Sequence, residues 1–231
     1  MTNVMIRQPG YMPNIGFFKK IQSTDIFVFL DDVQFSKDSF DNRNQIKTNF
    51  GPEWITVPLN RPVFEKKINE VSISYETDWI KEHCNKIFEN YKSTPYFSSY
   101  WYEIEKILNY KHKLLIQLNF ELIKYFIKTL DIHTKTIKSS ELSITKIKTE
   151  RLIEICLKLN AKCYISGIGG KDYLDESLFE NAKIKLIYEN FIHPKYTQVH
   201  SDFIKNMSII DLLLNVGPKS KKILYDSKNI P

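Results

Sequence analysis

Glycine and cysteine are scarce in this 231-residue chain, at seven and three residues, and no stretch concentrates charge of one sign. So little glycine, with only nine prolines, excludes fibrous and low-complexity classes. A hydrophobic share of 42% with 13% aromatics fits a globular chain, long enough for one large domain or two small ones. Cys84, Cys156 and Cys163 are odd in number and lack paired metal spacing, which argues against a disulfide framework or a zinc site and for a reducing compartment. No apolar run reaches membrane-spanning length, and Met1-Thr2-Asn3-Val4 does not read as a charged-then-apolar leader, so a cytoplasmic protein without membrane partners is expected. The net charge of +6 is the balance of 33 cations and 27 anions spread along the whole length, with arginine only at Arg7, Arg43, Arg61 and Arg151. Such a lysine excess suits solubility or anionic small molecules, and disfavours nucleic acid as a partner.

What is present alternates. Val4 to Arg7 reads as a strand, Ile15 to Gln22 as a short helix after the Pro9/Pro13 loop, and Ile26 to Leu30 as a second strand parallel to the first. Glu53 to Leu59 and Ile68 to Ile73 read as further strands. From Trp79 the apolar period becomes helical, with helices over 79–91, 100–108 and 114–130. Beyond a loop or strand at 136–142 come a helix at 148–159, a strand at Cys163 to Ile165, a helix around 174–181, a strand at 184–188 and a helix near 209–214. The pattern predicts an α/β fold with a mainly parallel, Rossmann-like sheet. It divides into an N-terminal α/β half (1–77), a helical insertion (78–132) and a C-terminal α/β half (133–231) on the same sheet, forming one compact domain.

Chemistry concentrates in two places. The apolar run Ile26 to Leu30 stops at Asp31 and Asp32, and Gln34, Lys37, Asn42, Arg43, Asn44 and Lys47 follow within a short span, with Gln8 and Tyr11 in the preceding loop. Polar groups this dense after a buried strand suggest the rim of a small-molecule site, since open α/β sheets bind ligands at the carboxyl ends of their strands. A solvated strand end is the plain alternative for the acidic pair, and no Glu-x-x-His or His-x-His spacing near it supports a dedicated metal site. The second place is Ser166-Gly167-Ile168-Gly169-Gly170, running from a strand toward a helix and followed by Tyr173, in the order of an anion cradle. It is neither a Walker motif nor the dinucleotide fingerprint, and a tight turn is its alternative. His83, beside Cys84 on a helix, could act as a general base or be a helix-surface histidine. Cys156 and Cys163 read as core, and so do most aromatics between Tyr91 and Tyr102.

In order along the chain, these pieces resemble the WbqC-like protein family. The matching segments are Gln8-Pro9-x-Tyr11-x-Pro13, Gly16-Phe17-Phe18, Asp31 through Lys37, Asn42-Arg43-Asn44-x-Ile46-Lys47, and Trp54-x-Thr56-Val57-Pro58. Trp79 with His83 and Tyr91, Ser139 to Leu142, Tyr164 through Leu174, Pro194-x-Tyr196-x-Gln198, and Ser208 to Leu213 complete the set. The resemblance implies a role among bacterial surface-polysaccharide or antibiotic pathway proteins. There an acyl or aminoacyl group, such as glycyl, is attached to the amine of a nucleotide-linked amino sugar. The donor would be an acyl carrier protein's phosphopantetheine thioester, a co-substrate, with no tightly bound cofactor. Gln8, Tyr11, Asp31, Asp32, Gln34, Lys37, Asn42, Arg43, Asn44, Lys47, Ser166, Gly167, Gly169, Gly170, Tyr173 and Gln198 are then expected to line one pocket, with His83 and Asp32 as the catalytic pair. A non-catalytic nucleotide-sugar or carrier-protein module and an ATP-dependent amide ligase are the competing readings. The opening strand, Pro-containing loop, helix and strand also resemble nucleotidylyltransferase-like folds. Those enzymes place two histidines where Gln8 and Tyr11 stand here, so adenylyl transfer is not expected.

Overall fold

A computed structural model describes residues 2–36, 39–200 and 202–230. In chain order the elements are β1 (Asn3–Arg7), α1 (Ile15–Gln22), β2 (Ile26–Phe29), β3 (Arg43–Thr48), β4 (Gly51–Thr56), α2 (Trp79–Tyr91), α3 (Phe97–Asn109) and α4 (Leu115–Thr129). They continue as β5 (Lys135–Lys138), α5 (Lys148–Lys158), β6 (Cys163–Gly167), α6 (Glu176–Asn181), β7 (Lys185–Phe191), α7 (Ile209–Val216), α8 (Lys219–Asp226) and β8 (Asn229–Ile230). The main sheet runs β5-β2-β1-β6-β7-β8, with its first five strands parallel and β8 antiparallel at one edge. The expected α/β class with a mainly parallel sheet is therefore what the chain adopts.

Successive strand residues point to opposite faces, and each face is buried under helices. Met5, Phe27, Phe29, Cys163 and Ile165 join one apolar cluster with residues of α1, α2, α3, α4 and α7. Val4, Ile6, Val28 and Tyr164 face the other way, onto Leu152, Ile155 and Cys156 of α5 and Phe179 of α6. The result is three layers, with α1 and α6 on opposite sides of the sheet.

Two stretches depart from the sequence reading. Asn42 to Lys47, expected as a polar rim, is mostly the strand β3, paired antiparallel with β4 from Arg43↔Thr56 to Thr48↔Gly51. Its polar residues at inward positions hid the strand's alternation. Ile68 to Ile73, expected as a strand, opens with a 3₁₀ turn at Ile68–Glu70. Ile68, Val71 and Ile73 are nevertheless buried there, as their spacing implied.

A buried polar network anchors the C-terminal loop. Asp211 on α7 accepts hydrogen bonds from Tyr91 Oη (3.0 Å), Tyr196 Oη (2.7 Å) and Gln198 Nε2 (2.7 Å). Lys47 Nζ donates to Gln198 Oε1 (3.2 Å), the His200 carbonyl (3.3 Å) and the Asp202 carbonyl. Burial raises the Asp211 pKa, opposed by the hydrogen bonds of Tyr196, Tyr91 and Gln198 and by the charge of Lys47. A carboxylate can accept all three donors, whereas an amide offers a single acceptor oxygen. Asp211→Asn should therefore lower unfolding free energy by about 2–4 kcal/mol at unchanged urea m-value, because buried donors lose their acceptor. Wild-type stability in that variant would mean the network is not what holds the loop.

Candidate functional site

The site follows from topology. β1 lies between β2 and β6; its crossover helix α1 covers one face of the sheet, whereas α6, which follows β6, covers the other. Where neighbouring strands send their connections to opposite faces, a crevice opens at their carboxyl ends. A cleft of about 430 Å³ occupies that point. Arg7 closes β1 in its wall, and Asn14, Gly16, Phe17 and Lys20 border it from the start and one face of α1. Tyr164, Ser166 to Gly170 and Tyr173 form a second wall, with Glu189, Asn190 and Phe191 of β7, and Asn206 beyond, forming the third. Asn14 caps α1, its Oδ1 accepting from Phe17 N (3.3 Å).

The glycine turn is closely built. A Cβ on Gly170 would stand 2.2 Å from Ser166 Oγ, and one on Gly167 3.1 Å from Lys20 Nζ, whereas one on Gly169 would meet nothing within 4 Å. The chain there forms a single 3₁₀ turn, Ile168–Asp172, rather than entering a helix directly. The first N–H groups of such a turn have no partner within it. The expected helix N-terminus is not part of the cradle: α6 starts later, and Asp175 Oδ1 already accepts from Ser177 N (3.1 Å) at its end.

Burial, together with the charge of Arg7, pulls the Lys20 pKa down to about 8, opposed by Glu189. Glu189 is itself pushed up by burial, and Lys20 and Lys19 pull it back. The cleft thus holds two cationic side chains, one carboxylate, backbone donors and three asparagines. Such a set suits a ligand with anionic groups at one end and hydroxyls or an amine at the other.

Of the residues expected to line one pocket, Ser166, Gly167, Gly169, Gly170 and Tyr173 line this cleft; the other described ones do not. Asp31 and Asp32 stand at the same edge of the sheet but turn toward β5. Asp31 Oδ1 accepts from Ser139 Oγ (3.1 Å) and Ser140 N (3.0 Å), and its Oδ2 accepts from Ser140 Oγ (2.7 Å). Asp32 pairs with Arg151 of α5 and accepts from Ser139 Oγ. Burial would raise the Asp32 pKa, but the Arg151 and Ser139 hydrogen bonds and the Arg151 charge outweigh it and leave it lowered. The acidic pair clamps β2 to the turn after β5, and the single cavity expected to unite it with the glycine turn does not form.

The other expected binding residues also meet protein partners. Asn44 Nδ2 donates to the Tyr11 (3.2 Å) and Met12 (2.7 Å) carbonyls, holding the loop after β1. Asn42 Nδ2 donates to the Val57 carbonyl (2.9 Å), and Gln34 Nε2 to the Phe64 carbonyl (2.5 Å). The Arg43 guanidinium stacks 4.5 Å from the Trp54 ring. Lys47 and Gln198 belong to the Asp211 network. Gln8 is half-buried next to Arg7, and Lys37 lies outside the described residues.

His83, the expected base, is 2% exposed, with its ring against Trp79 and its Nδ1 3.0 Å from Tyr11 Oη. Desolvation lowers its pKa to about 4, opposed mainly by Glu82 and a hydrogen bond with the Thr56 backbone. The buried imidazole is not among the residues lining the cleft. Arg7, Lys20 and Glu189 were missed by sequence reasoning. The one available signal was positional, since Arg7 ends the first strand and Lys20 lies one helical turn after Gly16. No group of three or more His, Cys, Asp or Glu able to hold a metal occurs among the described residues. Nor is any described helix long and apolar enough to cross a membrane.

Because the depressed His83 pKa keeps the ring neutral, its ring-carbon NMR signals should not titrate between pH 5.5 and 8. A midpoint near 6.5 would show an accessible imidazole and restore it as a candidate base. The sign for stability follows: the unfolded chain binds this proton near pH 6.5 and the folded chain only near 4. The His83 contribution is therefore present above pH 6.5 and is lost as pH falls toward 4.

No solved structure matches the chain. It is 34% identical over 227 residues to an uncharacterized protein of Mycobacterium tuberculosis, covering 97% of this chain and 98% of that one. The model of the WbqC-like protein family matches residues 8–223. That span begins just after β1 and takes in the rest of both crossover units, with the glycine turn, Lys20 and Glu189 of the cleft, and the chain belongs to the WbqC-like protein family.

Proposed function

We propose that the switch-point cleft binds a nucleotide-linked amino sugar through its phosphates. The protein then transfers an acyl or aminoacyl group, carried as a carrier-protein thioester, to the sugar's amine. The observation that carries this reading is the meeting of Arg7 with the glycine turn in one cleft. A guanidinium and backbone donors together match phosphate oxygens, while Asn14, Asn190 and Asn206 suit hydroxyls. Thioester aminolysis asks for little more than positioning, a proton acceptor for the ammonium, and donors toward the tetrahedral oxyanion. The thioester donor and the surface-polysaccharide setting come from the family resemblance, and the basic surface would favour an acidic carrier protein.

A non-catalytic module for the same ligand is favoured by one observation: among the described residues, neither histidine nor cysteine lines the cleft. Purified protein incubated with a 4-amino nucleotide sugar and glycyl-carrier protein separates the two. Acyl transfer predicts a sugar heavier by one glycyl residue without ATP. Binding with no mass change favours the module, and strict ATP dependence favours an amide ligase. Arg7→Ala should weaken nucleotide-sugar binding 10- to 100-fold, because a hydrogen bond to a charged group is worth roughly 1.5–3 kcal/mol. Unchanged affinity by calorimetry would remove the cleft assignment.

A further inference from the structure

Among the described residues, Lys20 is the lysine that lines the cleft. It stands on the face of α1 that borders the cleft, and its Nζ lies 3.1 Å from the place a Gly167 Cβ would take, directly on the glycine turn. The charged groups facing it are Arg7 from β1 and Glu189 from β7, with the phenols of Tyr164 and Tyr173 in the adjoining wall. Lys19, its neighbour, turns away and donates to Gln22 Oε1 (2.9 Å) and the Tyr225 carbonyl (3.1 Å).

Resting on the reading of the cleft given above, we infer that Lys20 is the proton acceptor that converts the bound sugar's ammonium into a nucleophilic amine. A base works best when its conjugate acid resembles the donor in strength, and burial beside Arg7 brings Lys20 to about 8, close to an amino-sugar ammonium. Glu189 opposes that shift; at about 8 a fraction of the amine is neutral near pH 7, and the protonated form can return its proton to water between turnovers. The step balances: the ammonium gives one proton to the neutral Lys20 amine, and the freed nitrogen pair bonds the thioester carbonyl carbon. Collapse of the tetrahedral oxyanion breaks the C–S bond, and the departing sulfur takes the second nitrogen proton. Amide and thiol result, and Lys20 returns its proton to solvent.

Pulse acetylation with acetic anhydride between pH 6 and 11, read by peptide mass spectrometry, measures the Lys20 ionisation without reference to any reaction. Half-maximal labelling near pH 8 is expected, against about 10 for the exposed lysines; a Lys20 midpoint near 10 overturns the inference. In the acyl-transfer assay, Lys20→Ala should lower kcat about 100-fold or more with KM for the nucleotide sugar within about threefold. Methylamine should restore part of the rate, and Lys20→Arg should remain slow. Wild-type kcat in Lys20→Ala, or loss confined to KM, overturns the role of Lys20 alone. Absence of transfer by the wild-type protein, with Lys20 still labelling near pH 8, overturns the reaction and with it the role.

Discussion

β1 is bordered on both sides by parallel strands whose crossovers leave for opposite faces, and the carboxyl edge of the sheet depends on that constraint. Its alternating Val4, Met5 and Ile6 are all buried, because helices cover both sides. Such a strand is held by both neighbours and by two apolar layers, which fixes where its end lies. α1 leaves Arg7 toward one layer, while the chain after Gly167 leaves toward the other. Neither connection can fill the gap between them. A cleft at this place is a consequence of topology, and sequence decides only what lines it.

The polar residues that give the chain its character divide into two sets. One set is structural and buried: Asp31 ties β2 to the turn beyond β5, Asn44 holds the loop after β1, and Asp211 gathers Tyr91, Tyr196 and Gln198 around α7. Buried polar groups that find all their partners fix loop geometry more sharply than apolar packing can. The other set stays open to solvent around the glycine turn. The first set supports the second: Asn44 fixes the loop that carries Arg7 into α1, and the Asp211 network fixes the segment that precedes Asn206.

Periodicity made the fold legible. The bounds of α1 and the nature of β1, β2, β6 and β7 followed from apolar runs and turn residues, and so did the long helices between Trp79 and Thr129. β3 was not legible, because Asn44 and Lys47 are buried on opposite faces of it, with partners remote in the chain. For the same reason these polar residues looked like binding groups: a sequence shows that a side chain can bond, not that a carbonyl far along the chain has already taken it. The glycine turn was legible because its residues are contiguous. Arg7, Lys20 and Glu189 were not, since each sits on a different element and only the strand order brings them together.

A crystal structure of the protein grown with a nucleotide sugar tests the account most directly. Diphosphate density against Gly167 to Gly170, within reach of Arg7, is the predicted result. Density beside Asp31 and Asp32 instead, with the cleft between β1 and β6 empty, would contradict it.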